Sequence, residues 1–161
     1  MAAPKEPPRF AAFLDLAGKP VLVVGGGEVA ARKARSLLEC GARVTVVAPA
    51  LCERLAAQVR EGRIAHRARR FGDEDLAGME MAVAATDDAR ANEAVARTAK
   101  TLRIPVNVAD DPALSTFLMG STVERGLVRI AISTSGASPV LARKLRARIE
   151  SAVPEEYGRL A

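Results

Sequence analysis

Three features of the sequence predict an α/β protein with a Rossmann-like, doubly wound parallel sheet, followed by a small β-hairpin and a helix. The apolar run Val21–Val24 breaks into three consecutive glycines and then into helical spacing. Short apolar runs then alternate with helical patterns as far as Pro112, which is typical of a parallel sheet covered by helices. Beyond Pro112 two extended runs meet at a turn, as in a hairpin. We therefore expect a Rossmann domain over 1–112 and a dimerisation segment over 113–161.

The first strand and the turn after it have the pattern of a dinucleotide-binding fingerprint. Val21–Val24 is rich in β-branched residues and suits a strand covered on both faces. Written as G-x-G-x-x-A, the fingerprint falls on Gly25, Gly27 and Ala30. Its glycines allow a tight turn and a close approach of backbone to a pyrophosphate at the N-terminus of a helix beginning near Glu28. A plain connection between strand and helix is the alternative, because glycine-rich turns also serve that purpose.

The other elements of the first domain follow from apolar runs, caps and turn residues. Gly41 is expected to end the first helix, because glycine favours the position after a helix C-terminus. The elements expected after it are a strand at 43–48, a helix at 49–61, an edge strand at 63–66, a helical turn at 73–76, a strand at 81–85, a helix at 89–103 and a strand at 105–109. The helix at 89–103 is expected to bury Ala91, Ala94, Val95, Thr98 and Leu102. At the start of the chain we expect a disordered leader over 1–8, docked through Phe10, Phe13 and Leu14.

The segment after Pro112 has a different pattern. Thr116–Val123 and Leu127–Ser133 are predicted to form a hairpin around the turn at 124–126. Ser138 and Pro139 have the residue types of a helix N-cap and first helical position. Because a hairpin and one helix are too small for a core of their own, we expect the segment to pack on the sheet or to form a homodimer, and we favour the dimer.

Composition narrows the class of partner. The net charge is +5, aromatic residues make up 3% and tryptophan is absent. The charge favours an anionic partner, which leaves nucleic acid, a membrane surface and a polycarboxylate or phosphate ligand open. Few aromatic residues argue against stacking on nucleobases. No apolar run approaches the roughly 20 residues of a membrane span, so neither nucleic acid nor a membrane is our expectation.

Cys40, Cys52 and His66 are the residues that bear on compartment and metal. The first nine residues are polar and proline-rich, unlike a secretory signal, so we expect a reducing cytoplasm. In that setting both cysteines are predicted to be small apolar fillers. One histidine and two separated cysteines do not make a standing metal cage.

Ligands of doubly wound sheets bind outside the carboxyl ends of the strands. The residues expected there are Gly25–Glu28, Ala48–Ala50, Thr86–Asp88 and Asn107–Asp110. An acidic residue about 20 positions beyond the glycines normally holds the ribose hydroxyls, yet the second strand ends in Ala48 and Pro49. Backbone groups around Pro49 and Ala50 would take that role. Because no arginine stands at that strand end for a 2′-phosphate, we expect NAD rather than NADP.

Four stretches together resemble the N-terminal dehydrogenase module of siroheme synthase and the free-standing precorrin-2 dehydrogenases. They are Val-Gly-Gly-Gly-Glu-Val-Ala-Ala-Arg-Lys-Ala-Arg at 24–35, Ala-Ala-Thr-Asp-Asp at 84–88, Asn-Val-Ala-Asp at 107–110 and Thr-Ser-Gly-Ala-Ser-Pro-Val-Leu-Ala-Arg at 134–143. They span most of the chain, and the fourth is far more specific than the glycine turn. The resemblance implies NAD-dependent oxidation of precorrin-2 to sirohydrochlorin. Some members of the family also insert ferrous iron, and the sequence leaves this second activity open.

The resemblance also implies roles for individual residues. The family's essential aspartate falls on Asp110, and its serine that some members phosphorylate aligns with Thr134. The expected cofactor-binding residues are Gly25, Gly26, Gly27, Glu28, Val29, Pro49, Ala50, Thr86 and Asp87. The expected substrate-binding residues are Asn107, Ser138 and Arg143. Relatives continue into a further helical region, so the chain is either a minimal form or a fragment.

Several alternatives stay open from sequence. Asp110 suits a proton acceptor at the mouth of the sheet, while Asp110, Asp111 and Pro112 also make a plain turn, with Asp111 as its turn residue. The cations Arg143, Lys144, Arg146 and Arg148 suit either an anionic macrocycle or a solvated helix face that Glu150 completes. For the whole chain, an NAD-sensing dimeric regulatory module is the alternative to an enzyme, and a basic nucleic-acid binder is a third hypothesis.

Overall fold

The computed structural model describes residues 9–160, which divide into two compact units. The first unit comprises Phe13–Phe117, and among the described residues the second comprises 9–12 together with 118–160. The disordered leader expected over 1–8 lies outside the described residues. No helix within the described range is long and apolar enough to cross a membrane.

The first unit is built on a five-stranded parallel sheet with the strand order β3-β2-β1-β4-β5. The strands are β1 Pro20–Val24, β2 Arg43–Val47, β3 Ile64–Arg67, β4 Met81–Ala84 and β5 Val106–Val108. The helices are α1 Glu28–Glu39, α2 Glu53–Arg60 and α3 Ala89–Thr101, with a 3₁₀ turn at Asp73–Leu76. This order is that of the doubly wound α/β fold, which confirms the predicted fold class and the edge position of β3.

The centre of the sheet forms the core. Every residue from Val21 to Val24 is at most 3% exposed, and β4 is buried along its whole length. Small residues of α1 pack above these strands, with Ala30 and Ala34 at 0% exposure. The order of the strands reverses between β1 and β4, so the ligand-binding crevice of this fold lies at their carboxyl ends.

Two helices of the first unit differ from the prediction. Helix α2 begins at Glu53 rather than at residue 49, because residues 49–52 run as a loop whose Cys52 N–H donates to Gly26 O at 2.7 Å. Helix α3 buries Val95 as expected, but its other buried residues are Ala96 and Ala99. Leu102 is 50% exposed because the helix ends at Thr101 and Arg103 turns the chain with φ +58.

Two expectations about apolar side chains are wrong. Phe10, Phe13 and Leu14 are 93%, 73% and 58% exposed, because they lie on a segment without regular structure that nothing described covers. Cys40 is not a buried filler. It caps the C-terminus of α1 and is exposed, whereas Cys52 is half-buried at the N-cap of α2.

The second unit contains a hairpin and two helices. Strands β6 Ser121–Arg125 and β7 Val128–Ile132 pair antiparallel, followed by α4 Pro139–Ala152 and a short α5 Tyr157–Leu160. The hairpin turn is at 126–127 rather than 124–126, because Gly126 supplies the positive φ and Arg125 already pairs with Val128. Ser138 caps α4 by accepting from Leu141 N–H at 3.2 Å, which confirms the predicted cap.

Candidate functional site

Gly25 makes the tight turn between β1 and α1. Its φ is +131, and its N–H donates to Val47 O at 3.0 Å. A Cβ atom at this position would lie 2.2 Å from the carbonyl oxygen of Ala85. The end of β1 is thus locked between the ends of its two neighbouring strands, and only glycine fits there.

Gly26 and Gly27 have different surroundings. A Cβ on Gly26 would lie 1.8 Å from Ala50 O, so that glycine lets the loop after β2 pass close to the turn. A Cβ on Gly27 would meet no protein atom within 4 Å, and no side chain caps the helix that begins there. The first N–H groups of α1 have no partner within the helix, and they favour an anion. The space beside Gly27 therefore fits a pyrophosphate.

The loop after β2 forms the next side of the crevice. Pro49 and Ala50 are exposed, and the stretch from Ala48 to Cys52 contains no acidic residue. The carbonyl of Ala48 accepts a hydrogen bond of 2.9 Å from the His66 ring of the edge strand. At the start of α1, Glu28 pairs with Arg54 of α2 at 3.3 Å, and both side chains remain largely exposed. Contacts to a ribose at this point would come from backbone groups.

The loop after β4 is held by a residue that sequence reasoning missed. Asn92 of α3 accepts from the Thr86 hydroxyl at 2.9 Å and donates to the Thr86 carbonyl at 3.0 Å. Asp88 caps α3 by accepting from the N–H groups of Arg90 and Ala91. Asp87, between these two anchored residues, is exposed. An asparagine one turn into a helix carries no sequence pattern that would have marked it.

Asp110 and Asp111 follow β5 and have separate roles in the turn. Asp111 accepts from the N–H groups of Ala113 and Leu114, each at 3.0 Å, which confirms it as the turn residue. Its own N–H donates to Val108 O at 3.2 Å and closes a turn in which Asp110 has φ +60. That turn position favours glycine or asparagine. Asp110 is exposed and makes no hydrogen bond or ion pair within residues 9–160, so its carboxylate is available for a ligand.

Lys33 reaches the same strand end from α1, and sequence analysis assigned it no role. Its Nζ donates to Asn107 Oδ1 at 3.3 Å, and the Asn107 amide donates to Phe117 O at 3.1 Å. Burial lowers the pKa of Lys33, the charge of Arg32 lowers it further, and the charge of Asp110 opposes both. The buried Asn107 side chain is therefore committed to internal partners. A lysine on the buried stripe of an amphipathic helix was the available sequence signal for this cluster.

The second unit carries the remaining predicted residues. The Ser138 hydroxyl is used as the cap of α4, and its backbone N–H donates to Thr134 Oγ1 at 3.1 Å. Arg143 and Lys144 are exposed and form no ion pair with any described residue, whereas Arg146 pairs with Glu150 at 3.4 Å. Thus α4 presents free cations beside one solvated ion pair. Across residues 9–160, no three His, Cys, Asp or Glu side chains are grouped so that they could hold a metal ion.

Comparisons with known proteins agree with this geometry. Residues 12–121 match a family described as "Putative NAD(P)-binding", and residues 125–152 match one described as "Sirohaem biosynthesis protein central". A solved structure titled "SirC, precorrin-2 dehydrogenase" is 32% identical with a TM-score of 0.78, over 94% of this chain and 74% of that one. The chain belongs to the precorrin-2 dehydrogenase family. This confirms the resemblance drawn from the four sequence stretches.

Relatives of this precorrin-2 dehydrogenase family member include longer proteins. The siroheme synthase of Nitrosospira multiformis is 54% identical over 92% of this chain, and that of Methylobacillus flagellatus is 51% identical over 92%. In both cases the match covers 32% of the relative, so the chain spans about a third of their length. None of these similarities favours the alternative of a regulatory module without catalysis.

Proposed function

We propose that this chain catalyses the NAD-dependent oxidation of precorrin-2 to sirohydrochlorin, with Asp110 as the proton acceptor. The observation that carries the proposal is the unpartnered, exposed Asp110 carboxylate at the carboxyl end of β5. An aspartate with φ +60 costs on the order of 1 kcal/mol relative to glycine there. Backbone strain of this kind clusters at active sites and ligand-binding loops.

The reaction removes a hydride and a proton from the macrocycle, which together account for the two hydrogens lost. The chemistry that NAD supplies when bound is acceptance of the hydride. The chain must hold the macrocycle against the crevice and receive the proton. Asp110 Oδ is suited to receiving it, because a carboxylate at the mouth of the sheet is exposed to substrate on one side and to solvent on the other.

Binding of NAD is supported by the turn between β1 and α1. The open space beside Gly27 and the uncapped start of α1 suit the pyrophosphate, and Pro49 and Ala50 leave the ribose to backbone groups. Thr86 and Asp87 follow the neighbouring strand β4, on the route from that turn toward Asp110. Val29 and Glu28 complete the set at the start of the helix.

Recognition of precorrin-2 is supported by charge. The substrate carries many carboxylates, and α4 presents Arg143 and Lys144 without ion-pair partners among the described residues. We assign these cations to substrate carboxylates and leave the Ser138 hydroxyl to its capping role. Insertion of ferrous iron into the product is a second candidate reaction only for the family at large, and no feature of this chain singles it out.

A homodimer is supported by the second unit. Among the residues that the structure describes, the exposed large apolar side chains of this unit are Phe10, Leu127, Val140, Leu141, Tyr157 and Leu160. Six such side chains are many for so small a unit, and exposed apolar surface of this kind marks protein interfaces. We assign this surface to a second copy of the chain, because most soluble oligomers are symmetric assemblies of identical chains.

The test is turnover of precorrin-2 by the purified chain with NAD. We expect the sirohydrochlorin absorption spectrum to appear together with one NADH for each product molecule. A parallel assay with ferrous iron and sirohydrochlorin, followed by the siroheme spectrum, tests the second reaction separately. Binding of NAD without any product formation would contradict the proposal.

A further inference from the structure

Lys33 lies on the packed side of α1. Lys33 lies three residues after Ala30 and four residues before Leu37, both of which the helix buries, so the three share one face. Lys33 itself is half-buried, whereas the adjacent Arg32 is exposed. A charged group placed on a buried stripe is costly unless it has a partner. The position of this lysine therefore calls for an explanation beyond solubility.

The partner lies on the last strand of the sheet. Lys33 Nζ donates to Asn107 Oδ1 at 3.3 Å across 74 residues of sequence. Asn107 is 4% exposed, and its amide is fixed by Phe117 O at 3.1 Å. These contacts tie α1 to β5 and to the segment that returns after the Asp110 turn. Asp110 stands three residues beyond Asn107, and its negative charge acts to raise the pKa of Lys33.

We propose that Lys33 is a positioning residue for the Asp110 carboxylate. Its ammonium group fixes the carboxyl end of β5 through Asn107, three residues before Asp110, and supplies a positive charge to that strand end. The inference rests on the proposed function, because only there does the Asp110 carboxylate receive a proton. A neutral hydrogen-bond donor would satisfy the Asn107 oxygen equally well, so the charge of Lys33 is what a structural role leaves unexplained.

The same lysine connects two parts of the crevice. It lies five residues after Glu28, which corresponds to about 7.5 Å along the helix axis from the turn that suits the pyrophosphate. Helix α1 thus carries the proposed phosphate site at its first turn and Lys33 one to two turns later. Displacement of α1 would move both groups together, which couples the placement of the cofactor to that of the carboxylate.

The electrostatic interaction between Lys33 and Asp110 can be measured without cofactor or substrate. We expect NMR titration of the Lys33 side chain, observed at ¹³Cε, to give a pKa below the ordinary lysine value, because burial and Arg32 both lower it. The Asp110→Asn variant should lower that pKa further, because the favourable negative charge is lost. Asp111→Asn is the matched control and should leave it in place. An ordinary lysine pKa, or no response to Asp110→Asn, would overturn the assignment.

Kinetics test the consequence for turnover. Lys33→Met keeps the apolar stem and removes the charge, and we expect kcat to fall about tenfold or more with the KM for NAD little changed. In the wild type, kcat should fall at alkaline pH as Lys33 loses its proton. Lys33→Arg should recover most of kcat and abolish this alkaline fall, because guanidinium does not titrate in this range. Arg35→Met on the exposed side of the same helix is the control and should behave as wild type. Wild-type kcat in Lys33→Met, or an unchanged alkaline fall in Lys33→Arg, would refute the role.

The two proposals fail in distinguishable ways. If the wild-type chain does not oxidise precorrin-2, the proposed function fails, and the NMR titration still decides whether Lys33 and Asp110 are coupled. If the wild type turns over and Lys33→Met matches it, the role of Lys33 fails and the proposed function stands.

Discussion

At the residue scale, the neighbouring glycines Gly26 and Gly27 of one turn have different physical roles. Gly26 is required because the carbonyl of Ala50 occupies the place of its side chain, and Gly27 faces open space. The fingerprint placed a ligand-binding role on Gly27, and that role stays a prediction. The packing of Gly26 against the loop after β2 could not be predicted, because it depends on a contact between segments distant in sequence.

This difference predicts separate effects of two alanine substitutions. Gly27→Ala should weaken NAD binding tenfold or more, because its Cβ enters the space that suits the pyrophosphate. Its stability cost should be at most about 1 kcal/mol, the difference between glycine and alanine at an N-cap. Isothermal calorimetry and thermal melting measure the two effects.

Gly26→Ala is the contrasting substitution, because its Cβ would meet backbone rather than open space. It should lower the melting temperature by several degrees, since a backbone carbonyl has to move to admit the new Cβ. Wild-type affinity for NAD in Gly27→Ala would show that the pyrophosphate lies elsewhere.

At the element scale, prediction succeeded where the information is local. The strand, glycine turn and helix around Gly25 are encoded in consecutive residues, as is the cap Ser138. The start of α2 and the buried face of α3 differ from the prediction. They depend on tertiary contacts and on the left-handed backbone of Arg103, which local patterns do not reveal. The Lys33 contact with Asn107 joins two elements 74 residues apart, which helical periodicity alone cannot reveal.

The end of β3 shows how a buried charge secures an element. Asp75 of the 3₁₀ turn is 0% exposed, accepts two hydrogen bonds of 2.7 Å from Arg69 and one of 3.0 Å from Gly72 N–H, and also pairs with Arg67. Burial would raise the pKa of Asp75, but the hydrogen bonds from Arg69, Gly72 and Arg67 outweigh it and hold the pKa below its usual range. The ionised carboxylate therefore stabilises the folded chain.

Acid titration tests this contribution. A carboxyl group whose pKa is lower in the folded state stabilises the protein at pH values above its pKa in the unfolded state, which is about 3.9. The stabilisation is lost as the pH falls through the pKa of the folded state. Asp75→Asn should reduce the free energy of unfolding at pH 7 by about 1–3 kcal/mol. The arginines are partly exposed, so they regain solvent and the loss stays below that of a fully buried pair.

Urea denaturation between pH 3 and pH 7 provides the measurement. The variant should lose part of the pH dependence below pH 4. Equal stability and equal pH dependence in Asp75→Asn and wild type would contradict this account.

At the scale of the whole molecule, the net charge of +5 and the exposed apolar residues of the second unit serve different partners in our account. The cations of α4 suit an anionic macrocycle, and the apolar side chains suit a second copy. Composition predicted the anionic partner only as a class. Our proposal of a tetrapyrrole comes from the family relationship, because a net charge does not distinguish one anionic ligand from another.

The dimer is testable by mass. We expect light scattering on the purified chain to give twice the mass of one copy. The double variant Leu127→Asp and Leu160→Asp should give the mass of one copy with an unchanged circular dichroism spectrum, because charge on an apolar interface opposes association. Leu102→Asp, at an exposed leucine of the first unit, is the control and should remain dimeric. A monomeric wild-type chain would contradict the proposal.

The central claim is that Asp110 receives the proton of precorrin-2 oxidation. The most direct test compares single-turnover formation of sirohydrochlorin by wild type, Asp110→Asn and Asp111→Asn at saturating NAD. Asparagine tolerates the left-handed conformation of residue 110 and can still accept the hydrogen bonds of residue 111, so both variants should fold as wild type. We predict a loss of about 100-fold or more in Asp110→Asn and near wild-type rates in Asp111→Asn. Wild-type turnover in Asp110→Asn would contradict the account.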